Sequence, residues 1–333
     1  MIFKFALTLM GAFATHSLSP AENATGRFPF HSIPVMMDAS GKFMLTQASA
    51  GGEPLHLLID SGAHLEISVS KEWAKAHGLE MKKLGDSVGI AGKNETFTTT
   101  LSDIEIGEAF KFPELTAYVI DLPGKIRFEP NADGTPQVEE GLLGGTFLMK
   151  SNSIVSYLDK RMLAPGPKVP AGAYLRAAQA KGSIIAPLVK TSTGAPYVEV
   201  QLGGKNWLFL VDTAAGSNII LPEIAEELGL KALELEQKVT GVGGETTGTK
   251  VTFAENFEIA GKLVLPKMDL LIMPCPKLPG FPEGKRFAGI IGNPLLSQLQ
   301  AEIDFGTYHL IFPPFIVRKA ESHTEVPEGL LEE

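Results

Sequence analysis

Two aspartates each end an apolar run and open a turn of small residues: Leu57-Leu58-Ile59-Asp60-Ser61-Gly62-Ala63 and Leu208-Phe209-Leu210-Val211-Asp212-Thr213-Ala214-Ala215. Two carboxylates brought face to face cannot both ionise, so such a pair holds one proton and offers a base and an acid together. Hydrolysis of an unactivated amide needs both. The ionised partner draws a proton from water, while the protonated partner polarises the carbonyl and later protonates the leaving nitrogen. Ser61 and Thr213 carry hydroxyls able to hydrogen-bond across to the opposite turn. A glycine at the next position lets a backbone N–H approach the carboxylate without a side chain between. Gly62 satisfies this and Ala214 departs from it; Ala63 and Ala215 complete the two turns.

The elements that must position the pair are also written twice. Each turn is followed, at nearly the same distance, by two aliphatic residues and a glycine: Leu142-Leu143-Gly144 and Ile290-Ile291-Gly292. Strands over 42–46 and 55–59, joined at Gly51-Gly52-Glu53-Pro54, deliver Asp60. Strands over 197–202 and 207–211, joined at Gly203-Gly204, deliver Asp212. A short helix follows in each half: 71–77 with Ser70 as N-cap and Gly78 as stop, and a helix opened by Pro222 and closed by Gly229. Next come hairpin segments punctuated by Gly89 and Gly92, and by Gly241, Gly243 and Gly244, at the place of a flap over a cleft. Strands over 104–106 and 257–259 follow, and after the aliphatic-glycine elements come short helices and strands over 155–158 and 301–303.

These residues resemble those of a retropepsin-like aspartic peptidase with both lobes fused in one chain, similar to bacterial secreted members of that group. The family's Asp-Thr/Ser-Gly-Ala motif maps onto Asp60-Ser61-Gly62-Ala63 and, with alanine replacing glycine, onto Asp212-Thr213-Ala214-Ala215. Its hydrophobic-hydrophobic-Gly element maps onto residues 142–144 and 290–292. The resemblance covers residues 28–314 and implies an all-β, bilobal, pseudo-two-fold fold of two closed barrel-like lobes with short helices. It also implies a cleft between the lobes, a supporting role for the aliphatic-glycine loops behind the turns, and no metal or organic cofactor.

Composition narrows the alternatives. The chain of 333 residues, 44% hydrophobic and 20% charged, is long enough for two lobes with their own cores. A net charge of −9 without any basic stripe excludes nucleic acid as the expected partner. The single cysteine, Cys275, forms no intramolecular disulfide and reads as an apolar filler. The seven histidines lack metal-ligand spacing, and His64 reads as an exposed loop residue. No serine-nucleophile elbow or phosphate-cradling loop is expected. Residues 1–21 have the basic start, short apolar stretch and small-x-small site of a secretory signal, which predicts an exported protein, periplasmic or extracellular, with no stable membrane span. The expected organisation is a first lobe at 28–163, a Pro/Gly/Ala linker at 164–182 with a helix over 173–180, a second lobe at 183–315, and an acidic tail at 316–333. A fused pair of lobes needs no dimer, so a monomer acting on a peptide or protein substrate is expected. Two functions fit: an aspartic endopeptidase, or a catalytically weak or inactive peptide-binding protein of the same architecture, which Ala214 favours.

Overall fold

The computed structural model describes residues 30–89, 92–122, 126–128, 130, 137–234, 239–241, 244–246, 250–275 and 280–314. The expected signal segment 1–21 and the tail 316–333 lie outside them.

The hairpin Met44–Ala50 with Glu53–Asp60 turns at Gly51 (φ 60°) and Gly52 (φ 84°), and Pro196–Leu202 with Lys205–Val211 turns at Gly203 (φ 59°) and Gly204 (φ 72°). Two successive positive φ values match the twist of antiparallel strands, which is why paired glycines stand at both turns. The first strand starts at Met44, two residues later than expected. The Asp38 carboxylate takes the backbone N–H groups of Lys42 and Phe43, each at 2.8 Å, and bends them into a turn.

Each hairpin closes into a six-stranded ring. In the first, Glu53–Asp60 pairs in parallel with Gly141–Gly144, which pairs antiparallel with Ile67–Ser70. That strand pairs in parallel with Phe110–Ile120, and the long strand Gly92–Ile106 links it back to Met44–Ala50. The second ring repeats each step with Phe287–Ile291, Ile219–Ile220, Leu263–Ile272 and Lys250–Ile259. Closure leaves few free strand edges. Leu55, Leu57 and Ile59 of the first hairpin and Trp207, Leu208, Phe209, Leu210 and Val211 of the second lie in the main core, so the second strand is buried on both faces. Leu58 and Leu142 point to the other face, where they join Leu45, Ile120 and Phe128 in a separate apolar cluster.

Between the rings lies a sheet made by both halves. Its order is Phe30–Met37, Arg161–Pro165, Ile154–Ser156, Glu302–Asp304, His309–Phe312, Ile184–Lys190, all antiparallel. The pseudo-two-fold axis passes through its central pair, where Val155 faces Ile303. The two outer strands each serve two sheets. Phe30–Met37 pairs in the shared sheet as far as Pro34 and in the first barrel from Val35; Ile184–Lys190 changes over between Pro187 and Leu188. A proline has no N–H for the ladder, so it suits the residue at which pairing is handed over. Residues 164 and 165 belong to this sheet, and the helix Ala173–Ala180 then carries the chain to the second half.

The other helices are short. Lys71–Ala76 is capped by the Ser70 hydroxyl, which accepts from Trp73 N at 3.0 Å, and Pro222 opens Pro222–Glu227. Among the described residues no helix is long and apolar enough to cross a membrane.

Candidate active site

Asp60 is the last residue of its strand, and Asp212 follows directly on its own, donating its backbone N–H to Ile291 O at 2.9 Å. The neighbouring hydroxyls lock the turns together. Ser61 Oγ donates to Val211 O (2.8 Å) and accepts from Thr213 N (3.0 Å), while Thr213 Oγ1 donates to Ile59 O (2.6 Å) and accepts from Ser61 N (3.0 Å). Both side chains are wholly buried, so the four bonds satisfy groups that water cannot reach. Within each turn Asp60 Oδ1 accepts from Gly62 N (3.0 Å) and Ala63 N (2.9 Å), and Asp212 Oδ1 accepts from Ala214 N (2.8 Å).

The first turn presses against the second carboxyl. A Cβ at Gly62 would stand 2.6 Å from Asp212 Oδ2 and 2.7 Å from its Cγ, so only glycine permits the approach. The aliphatic-glycine loops run behind the turns. A Cβ at Gly144 would lie 2.2 Å from Leu65 O, and one at Gly292 would lie 2.4 Å from Ser217 O and 2.6 Å from Ala215 O. Gly145 N and Asn293 N then donate to Ala63 O (2.9 Å) and Ala215 O (2.8 Å), tying each loop to its turn. Leu143 and Ile291 anchor these loops in the main core.

Each aspartate keeps partial solvent exposure, yet protein surrounds its carboxyl on the remaining sides. Burial, and then the charge of Asp212, push Asp60 well above the usual carboxylate range against the pull of the Ala63 and Gly62 N–H groups. Burial pushes Asp212 up to about 6, opposed by Ala214 and Ala215 N–H. The pair is therefore built to hold a proton well above the acidity of a free carboxylic acid.

His64 differs from expectation. It is half-buried rather than exposed, its Nε2 is sheltered without a partner, and burial pulls its pKa down, disfavouring the charged ring beside the first turn. Cys275 is half-buried, and burial, with the charges of Asp212 and Glu223, pushes its thiol up to about 12, which leaves it protonated and unreactive. Among the described residues no group of three or more His, Cys, Asp or Glu could hold a metal ion.

The glycine-punctuated segments form hairpins. Gly89 pairs with Gly92 at the end of Lys82–Gly89 and Gly92–Ile106, and Gly241 pairs with Gly244 at the end of Val239–Gly241 and Gly244–Thr246; Gly243 lies outside the described residues. Residues 85–89 carry the Gly-x-Ser-x-Gly spacing, but they lie inside a strand and not at a strand-to-helix turn, so they make no nucleophile elbow. The first hairpin is tied to the barrel through Lys71, whose ammonium lies 2.8 Å from Asp121, 3.8 Å from Glu95 and 5.0 Å from the Phe97 ring centre.

Sequence reasoning missed a second set of crossings. Tyr157 of the first half donates its hydroxyl to Oδ1 of the buried Asn293 in the second. Thr146 Oγ1 donates to Thr193 O at 2.7 Å, and within the second half Tyr308 OH holds the neighbouring Gly194 O at 3.1 Å. The one available signal was a mismatch between the repeats: Asn293 stands where the first half has Gly145.

The family described as aspartyl protease matches the chain in two segments, residues 46–147 and 198–295. Among solved structures, basic 7S globulin from soybean matches at 9% identity, covering 86% of this chain and 95% of that chain with a TM-score of 0.43. Conglutin gamma, a basic 7S globulin from lupine seeds, matches at 11% identity over the same shares with a TM-score of 0.39. No protein of curated function matches the chain.

Proposed function

The chain belongs to the aspartyl protease family, and we propose that it is an aspartic endopeptidase whose dyad is Asp60 and Asp212. The observation that carries this reading is the reciprocal lock of Ser61 and Thr213, which sets two proton-sharing carboxyls at the junction of two like lobes. One carboxyl is ionised and takes a proton from water as its oxygen adds to the peptide carbonyl; the other donates its proton to the carbonyl oxygen. The neutral gem-diol then collapses. The first carboxyl delivers its proton to the nitrogen, the C–N bond breaks, and the second recovers a proton from a diol hydroxyl, leaving a carboxylic acid, an amine and the original dyad. An extended peptide would lie between the lobes beneath the two hairpins as an added strand. The reading includes export of a monomer with lobes at 28–163 and 183–315.

The test is cleavage of a diverse peptide library between pH 3 and 7 by the native protein, Asp60→Asn and Asp212→Asn. Turnover by the native protein and by neither variant is expected. A native protein that binds peptides and cuts none would instead support the peptide-binding reading, for which Ala214 is the specific observation.

A further inference from the structure

We propose that Phe128 is the protein's own occupant of an apolar subsite beside Asp60, so that a peptide enters by bringing a large apolar side chain that displaces it. This rests on the peptidase reading and names the substrate class of the same site.

Strand periodicity places the subsite. Side chains two apart on a strand share a face, so Leu58 lies on the face that carries the Asp60 carboxyl. Register sets Leu45 and Leu142 on either side of Leu58 in the two neighbouring strands. The three make one apolar row next to the carboxyl, where a side chain flanking the scissile bond would come to rest.

That row is closed. Leu45, Leu58 and Leu142 are 0%, 5% and 4% exposed, although Asp60 itself keeps partial exposure. The cluster that closes it reaches both catalytic turns: Phe128, itself buried, joins the three leucines, and Ala63 of the first turn and Ala214 of the second pack against them. Phe43 belongs to the same cluster and crosses to the second turn, where a Cβ on Gly216 would lie 3.2 Å from its ring.

The cover is held less firmly than the floor. The leucines stand on strands of the closed barrel, whereas Phe128 stands on the two-residue strand Arg127–Phe128. Among the described residues its backbone pairs with Gln137–Val138 and, through one isolated bridge, with Asp38. Asp38 is also the residue whose carboxylate holds Phe43 N at 2.8 Å, so one turn carries both aromatic covers.

Lifting Phe128 returns its ring and the leucines beneath it to water, which is unfavourable. A peptide side chain of similar size covers the same surface and offsets that loss. An alanine covers too little of it, and a charged side chain would lose its hydration there. Phe128 is therefore a built-in competitor that sets a size threshold on the Asp60 side of the scissile bond.

The test is calorimetric binding of two capped hexapeptides, one with two central phenylalanines and one with two central alanines. The protein is the full chain carrying Asp212→Asn, so that no bond is cut, with and without Phe128→Ala. Phe128→Ala is expected to tighten the phenylalanine peptide about tenfold or more and to leave the alanine peptide little changed. Weaker or unchanged binding of the phenylalanine peptide would make Phe128 a fixed wall and overturn the proposal, as would no binding of either peptide to the folded variant. A second readout does not depend on that variant: 4-fluorophenylalanine placed at position 128 alone. Its fluorine resonance is expected to move toward the solvent-exposed value as the phenylalanine peptide is added, and a resonance that stays put while the peptide binds overturns the proposal. Displacement of Phe128 with no peptide cut by the native protein would sink the peptidase reading alone. Cleavage with Phe128 fixed in place would sink the displacement alone.

Discussion

Gly62 and Asp212 come from opposite lobes and stand so close that no side chain fits between them: a Cβ on Gly62 would lie 2.7 Å from Asp212 Cγ. Gly62→Ala must therefore displace the second carboxyl or spread the turns. A displacement on the order of 1 Å costs about a hundredfold in rate, so kcat for peptide cleavage is expected to fall by about that factor with KM little changed. Ala214→Gly removes a methyl and forces nothing apart, and its kcat is expected to equal or exceed the native value. Steady-state kinetics on one cleavable peptide check both.

Thr213 Oγ1 serves Ile59 O and Ser61 N, both in the opposite lobe. Thr213→Val keeps the shape of the side chain and leaves both groups buried and unpaired, at about 1–3 kcal/mol each. Ser61→Ala strands Val211 O and Thr213 N in the same way. Urea unfolding is expected to show each loss, and the double variant to lose less than the sum, because the residues share one network.

Both dyad carboxyls have folded pKa values above those of the unfolded chain. Between the unfolded value near 4 and about 6 for Asp212, the folded state binds more protons than the unfolded state. Stability is therefore full below about 4 and lost as pH rises through about 6 for Asp212, with Asp60, also raised, adding to the loss as it ionises. Asp212→Asn removes one source of this loss and is expected to flatten the fall of Tm between pH 4 and 7, leaving the variant more stable than the native protein at pH 7. A steeper fall in the variant would refute the linkage.

A Cβ on Gly292 would run into two backbone oxygens, Ser217 O at 2.4 Å and Ala215 O at 2.6 Å, and neither can swing aside as a side chain could. Gly292→Ala is expected to cost about 3 kcal/mol and to lower activity through the Asp212 turn. Denaturant midpoints read with residual kcat separate the two effects.

The repeat was legible in the sequence because its elements are local. Glycine pairs specify tight hairpin turns, alternating apolar residues define the buried faces, and a cap and a stop bound each helix, so two like halves and the chemical types at 60–63 and 212–215 could be read from neighbours in the chain. The shared six-stranded sheet was not legible, since its central pairing of Val155 with Ile303 joins residues remote in sequence, and no local signal encodes a partner at that distance. Nor was the environment of each carboxyl. His64 became half-buried, Asn293 met Tyr157, and Ala214 found the apolar cluster around Phe128 only when the two lobes closed on each other. The sequence by itself determined which groups could do chemistry. Tertiary structure decided what surrounds each of them, and for a carboxylic acid burial and neighbouring charge set where the proton rests.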